Sequence, residues 1–139
     1  MTPSRAIAVW FLLFAIAFSN GAFREAVLRP RFSELTSHQL SCFTGIPLIL
    51  LAVCFAARKW PFRSAAHAWR TGLAWLAATI AFEFVFGRFV MGHPWSRLLH
   101  DYAIRDGRLW ILVLAAILCA PIISRSFQDL SHAEKHKLQ

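Results

Sequence analysis

Eleven polar side chains in this sequence are of types that could do chemistry: Asn20, Arg24 and Glu25; His38, Gln39 and Ser41; Glu83 and Arg88; and Asp101, Tyr102 and Arg108. They fall toward the same end of four apolar stretches, whose other halves carry almost no polar groups. Helices packed side by side would bring these groups from all four stretches to one pocket. Glu83 is the sharpest signal. In a helix over 71–92 it would lie about 18 Å from one end and about 13 Å from the other. A lone carboxylate at that depth costs roughly 2.5 to 3.5 kcal/mol, so it must face the bundle and find a partner, with Arg24, His38 and Arg88 as the candidates. It reads either as a substrate or proton site or as an ion pair that sets helix register. Gly87, one turn on, would let a neighbouring helix or a ligand approach that face.

Arg24, Arg88 and Arg108 together have the chemistry of an anion receptor, because guanidinium binds phosphate or carboxylate in bidentate fashion. The plainer reading of each is charge balance against Glu25, Glu83, Asp101 and Asp106. His38 and Ser41 lie one turn apart and with Asp101 imitate a hydrolase triad. No G-x-S-x-G elbow surrounds the serine, so hydrogen bonding at a helix start is the simpler assignment. His38, Glu83, His93 and His100 lack the paired spacing of a metal site, and the reading includes no metal and no cofactor. Cys42, Cys54 and Cys119 all lie in apolar segments, with no C-x-x-C pair, and read as small buried hydrophobes.

The elements that must position these groups follow from composition. Of 139 residues, 58% are hydrophobic and only 16% charged, well below the roughly 25% charged of a soluble domain. Apolar spans at about 6–23, 38–57, 71–92 and 108–124 each approach the ~20 residues that cross a bilayer. An all-α membrane protein is expected, a four-transmembrane-helix bundle followed by a polar cytoplasmic tail over 125–139. Ala17-Phe18-Ser19 also has a small-x-small pattern, so the first span alternatively reads as a cleaved signal peptide. Thr36 and Gln39 have capping-box spacing and predict a second helix from about Ser37, kinked at Pro47. Between spans three and four, Pro94 opens a short helix with Trp95, Leu98, Leu99 and Tyr102 on one face, and Gly107 stops it. Lying flat in the outer interface is the simplest placement for it. Trp60, Trp69 and Trp75 are expected in an inner aromatic belt, and Trp95, Tyr102 and Trp110 in an outer one.

The net charge of +8 does not point to nucleic acid, since the basic residues flank spans instead of forming a stripe. Eight Lys and Arg fall on one side of the spans and seven on the other. The loop 58–70 is purely basic, whereas five of the seven carboxylates lie on the opposite side. That loop and both termini, with Lys135 and Lys137, are therefore expected in the cytoplasm.

Asn20 with Arg24-Glu25, His38-Gln39-Leu40-Ser41 with Thr44-Gly45-Ile46, Glu83-Phe84 with Gly87-Arg88, and Asp101-Tyr102 followed by Gly107-Arg108-Leu109-Trp110 resemble a group of small four-span bacterial inner-membrane proteins. The resemblance covers about three quarters of the chain and implies a bacterial inner membrane and a shared polar site, with no reaction attached. Ala103 departs from it, where a polar residue is expected after Asp-Tyr. Size also suggests the small multidrug transporters, but their essential carboxylate is in the first span, which here has no acid before Glu25.

The leading reading is a bundle that binds, and as a transporter would move, a small polar or amphipathic ligand, lipid-like or anionic, through a pocket open to the outer leaflet. Arg24 and Arg108 are its expected co-binding residues beside Glu83. Expected partners are membrane lipids, the ligand, and further copies or a larger membrane complex, since four short spans need an oligomer to enclose a path. Two other classes stay open: a membrane enzyme acting on a lipid headgroup or isoprenoid phosphate with Glu83 or His38 as base, and an accessory subunit whose polar cluster only locks the fold.

Overall fold

The computed structural model describes residues 1–137, with side chains through residue 130. Five α-helices account for most of it: α1 (Pro3–Phe23), α2 (Glu34–Lys59), α3 (Ala65–Val85), the short α4 (Trp95–His100) and α5 (Trp110–Lys137). Among the described residues there is no strand. Four segments, Pro3–Leu28, Glu34–Lys59, Ala65–Val90 and Trp110–Leu130, are long and apolar enough to cross a membrane. This is the architecture of a multi-pass integral membrane protein. Large apolar side chains on its outside, such as Phe43, Phe55 and Phe89, are 67%, 75% and 76% exposed, as lipid contact requires and water contact penalises.

Local chemistry sets the helix ends. α2 starts at Glu34, three residues before the position expected from Thr36 and Gln39, because Ser33 is the cap and its Oγ accepts the Thr36 amide at 3.2 Å. Ser64 caps α3 in the same way, accepting the His67 amide at 3.1 Å. The long helices α1 and α3 end alike, in single π turns over Arg24–Leu28 and Phe86–Val90. There the Arg29 amide bonds the Arg24 carbonyl and the Met91 amide bonds the Phe86 carbonyl. The wider turn re-phases every side chain that follows it. α5 continues past residue 124 to Lys137, with Arg125 and Asp129 paired at 3.5 Å one turn apart. The side chains of Lys135 and Lys137, and all of residues 138–139, lie outside the described part.

The helices form a ring in the order α1, α2, α5, α3. α5 packs extensively on both α2 and α3, α1 leans on α2, and α1 meets α3 only sparsely. The driest part of the core follows α2 and α5, where Val53, Ile49, Ile117 and Ala120 are buried. At Gly72 a Cβ would lie 2.2 Å from the Leu118 carbonyl oxygen, so α3 and α5 touch backbone to backbone. The end of the ring nearest the 60–63 loop is tied together by side chains reaching carbonyls. Arg125 donates to Phe62 at 3.0 Å, Gln128 donates to Ala57, and the Met1 amine donates to Pro61. Trp75 is not in a surface belt; it is 3% exposed and donates to the Ala6 carbonyl at 3.0 Å.

Candidate functional site

α1 and α3 run in the same direction and join near their N-terminal halves. Trp75 reaches Ala6, Trp10 Nε1 donates to Thr79 Oγ1 at 3.1 Å, and the Phe14 and Phe82 rings meet edge to face at 4.6 Å. Beyond Phe14 and Phe82 the two helices part. A cavity of about 320 Å³ lies between the helices, reaching back to Trp10, Leu13 and Thr79 and walled further on by Ala17, Phe18 and Gly21 on α1 and by Glu83, Phe86 and Gly87 from α3 onward. Its walls are mainly apolar, with Arg24, His38, Glu83 and Asp101 joined by Thr79 and His93 as the polar part. Three of those residues, Arg24, His38 and Asp101, also line a smaller pocket of about 100 Å³. That pocket is polar throughout, with Arg29, Arg97 and Arg108 beside Glu25 and Glu34.

Glu83 is held without an arginine. Tyr102 Oη donates to Glu83 Oε2 at 2.6 Å and Trp110 Nε1 donates to the same oxygen at 2.9 Å. A chain of local causes brings both donors there. Gly87 leaves room for Leu98, whose Cδ2 would lie 2.6 Å from a Cβ at that position, and this seats α4 on the end of α3. Phe84 then stacks on both Trp95 and Tyr102, at 6.1 and 5.8 Å. Gly107, at φ +79°, makes the left-handed turn that admits the chain to α5 and places Trp110 in its first turn. Burial, and after it the hydrogen bond to Glu83, pushes the Tyr102 hydroxyl above the ordinary phenol range. Both donors land on Oε2, leaving Oε1 free of either.

Arg24, expected to partner Glu83, and Arg108, expected to bind beside it, have other carboxylates. Arg24 pairs with Glu25 at 3.1 Å, and Arg108 bridges Glu34 at 2.9 Å and Asp101 at 3.6 Å. Arg88 stands apart from the cluster: it lies over the Trp95 ring at 5.7 Å and reaches the His93 carbonyl at 3.4 Å. Five residues on at about 3.6 per turn, Arg88 falls on another face of the helix from Glu83.

The α2 residues divide between pocket and scaffold. His38 Nε2 accepts the Leu109 amide at 3.2 Å and so caps α5, which places the ring's proton on Nδ1. Gln39 donates to the Gly107 carbonyl at 3.1 Å. Ser41 donates to Asn20 Oδ1 at 2.8 Å while Asn20 Nδ2 reaches the Ser41 carbonyl at 3.0 Å. This clamp joins α1 to α2 at Gly45, where a Cβ would lie 2.8 Å from Asn20 Nδ2. Ser41 and His38 therefore serve different partners, and the arrangement is not that of a hydrolase triad. Among the described residues no three of His, Cys, Asp and Glu gather as a metal site.

The structure thus brings Arg24, Glu25, His38, Glu83, Asp101 and Arg108 to two adjacent cavities with shared walls, with Tyr102 behind Glu83. Asn20, Gln39 and Ser41 hold helices together, and Asn20 and Ser41 also border a small cavity of about 60 Å³ with Gly21 and Arg24. Sequence reasoning missed Arg29, Glu34 and Arg97 in the polar pocket and Trp110 on Glu83. The first three are ordinary flanking charges by type, and only the spacing of Arg24 to Arg29 to Glu34, one π turn and one bend apart, hints at a shared edge. Fold and site together define a multi-pass α-helical membrane protein with a cleft between its first and third spans. Comparison with protein-family models, with curated proteins and with solved structures finds no match.

Proposed function

We propose that this protein binds a small amphipathic ligand in the cleft between α1 and α3. The observation that carries the reading is the adjacency of two chemically opposite cavities that share Arg24, His38 and Asp101 in their walls. An apolar tail would replace lipid contact with aromatic contact in the larger one, and a polar head would meet guanidinium groups in the smaller. Glu83 stands on the cleft wall, and its Oε1, which neither Tyr102 nor Trp110 engages, would accept a donor from the ligand. A bacterial inner membrane is the proposed setting. The basic loop 58–70 and both termini would face the cytoplasm and the cleft would open to the outer leaflet. α4 would lie at that interface, its exposed Trp95 and Leu99 toward headgroups.

Gly21 offers a test. It lines the cleft, and a Cβ there meets nothing within 4 Å, so Gly21→Leu starts into open space and takes up volume beside the cleft. Mass spectrometry of amphiphiles co-purifying with the wild type and with Gly21→Leu should show one species lost from the variant at unchanged abundance. Identical co-purifying species in both proteins would overturn the reading.

A further inference from the structure

Resting on that reading, we infer that the ligand is a single-chain amphiphile with an anionic phosphate or carboxylate head, its chain between α1 and α3 and its head among Arg24, Arg97 and Arg108. Volume limits the chain. At roughly 30 Å³ for each water-sized group, the cleft of about 320 Å³ holds on the order of ten methylenes, enough for one medium chain and too little for two. At its inner end Trp10 and Thr79, both in its wall, are bonded to each other at 3.1 Å.

Charge selects the head. The polar pocket sets four arginines against three carboxylates. Arg24, Arg29 and Arg108 each have a carboxylate within 4 Å. Arg97 makes no ion pair among the described residues, and it is exposed at the pocket's edge. An unpaired guanidinium beside others already fixed by their partners is a receptor for an oxyanion, which it meets with two parallel N–H bonds. A zwitterionic head would bring a second positive charge into a pocket that already carries a surplus of one. A neutral head would forgo the charge-assisted contact that Arg97 offers.

The test uses the full-length protein in phosphatidylcholine nanodiscs and radiolabelled dodecyl phosphate, with dodecanol and inorganic phosphate as competitors. Wild type should bind dodecyl phosphate saturably, and Arg97→Gln should weaken it about tenfold, as expected for losing one charge-assisted contact. Dodecanol and inorganic phosphate should each compete at least about tenfold less well than unlabelled dodecyl phosphate. Dodecanol competing equally, or Arg97→Gln binding like wild type, would overturn the anionic head and leave the amphiphile reading standing. Inorganic phosphate competing equally would make this a site for a free anion and overturn the chain. Undiminished binding to Gly21→Leu would overturn the cleft reading itself.

Discussion

Where α3 meets α5, the helices approach until a Cβ at Gly72 would lie 2.2 Å from the Leu118 carbonyl. Where α1 faces α3, Gly21 has open space before it and a cavity begins. Both sites use a glycine in an apolar helix, one to let backbones touch and the other to leave a space unfilled. The difference teaches that this ring is sealed on the α5 side, which holds the fold, and is left unsealed on the α1–α3 side, which a ligand can use. The tied carbonyls near the 60–63 loop belong to the sealed part, and the Glu83 cluster borders the open one.

The comparison breaks most visibly at the sealed seam. Gly72→Leu must push the Leu118 backbone away, at the upper end of the roughly 1–3 kcal/mol of overpacking, and the protein should accumulate poorly in membranes. Next comes Tyr102→Phe, which removes a hydrogen bond to a carboxylate and should lower stability by about 1.5–3 kcal/mol in detergent melting. Glu83→Gln keeps an amide oxygen for Tyr102 and Trp110, so abundance should be normal while retention of the co-purifying ligand falls. Tyr102 is the single tyrosine of the chain, so absorbance at the phenolate band reports it alone. Because its folded pKa is raised, the phenol stabilises the fold below its ordinary ~10, and that contribution is lost as pH climbs through the folded value. Phenolate should therefore appear only well above pH ~10 in the native protein and nearer ~10 after denaturation. Arg88→Gln should leave ligand retention unchanged and stability within about 0.5 kcal/mol, since Arg88 belongs to neither cavity.

Much of the frame was legible in the sequence because apolar length and breakers report directly on spans. Glu83 announced that it needed a buried partner, Gly87 that something would pack close, and Gly107 that a helix would stop. The partner's identity was hidden. Tyr102 and Trp110 reach Glu83 only because Leu98 seats α4 on Gly87, a contact between segments that no periodicity encodes. Arg88 is close to Glu83 in sequence, but five residues at about 3.6 per turn set it on another face, where it meets the Trp95 ring. Asn20 and Ser41 have the same polarity as the pocket residues, yet they bond each other across α1 and α2, and polarity alone does not separate a clamp from a site. The cleft is the hardest feature to read, because it consists of a contact that the helices do not make.

The most direct test of the open cleft is photocrosslinking in nanodiscs with a dodecyl phosphate whose chain carries a diazirine, followed by mapping of adducts by peptide mass spectrometry. The account predicts saturable adducts on Phe14, Phe18, Phe82 and Phe86, removed by excess unlabelled amphiphile and absent from Gly21→Leu. Adducts spread without saturation over the outward Phe43 and Phe55, with the cleft phenylalanines unmarked, would contradict it.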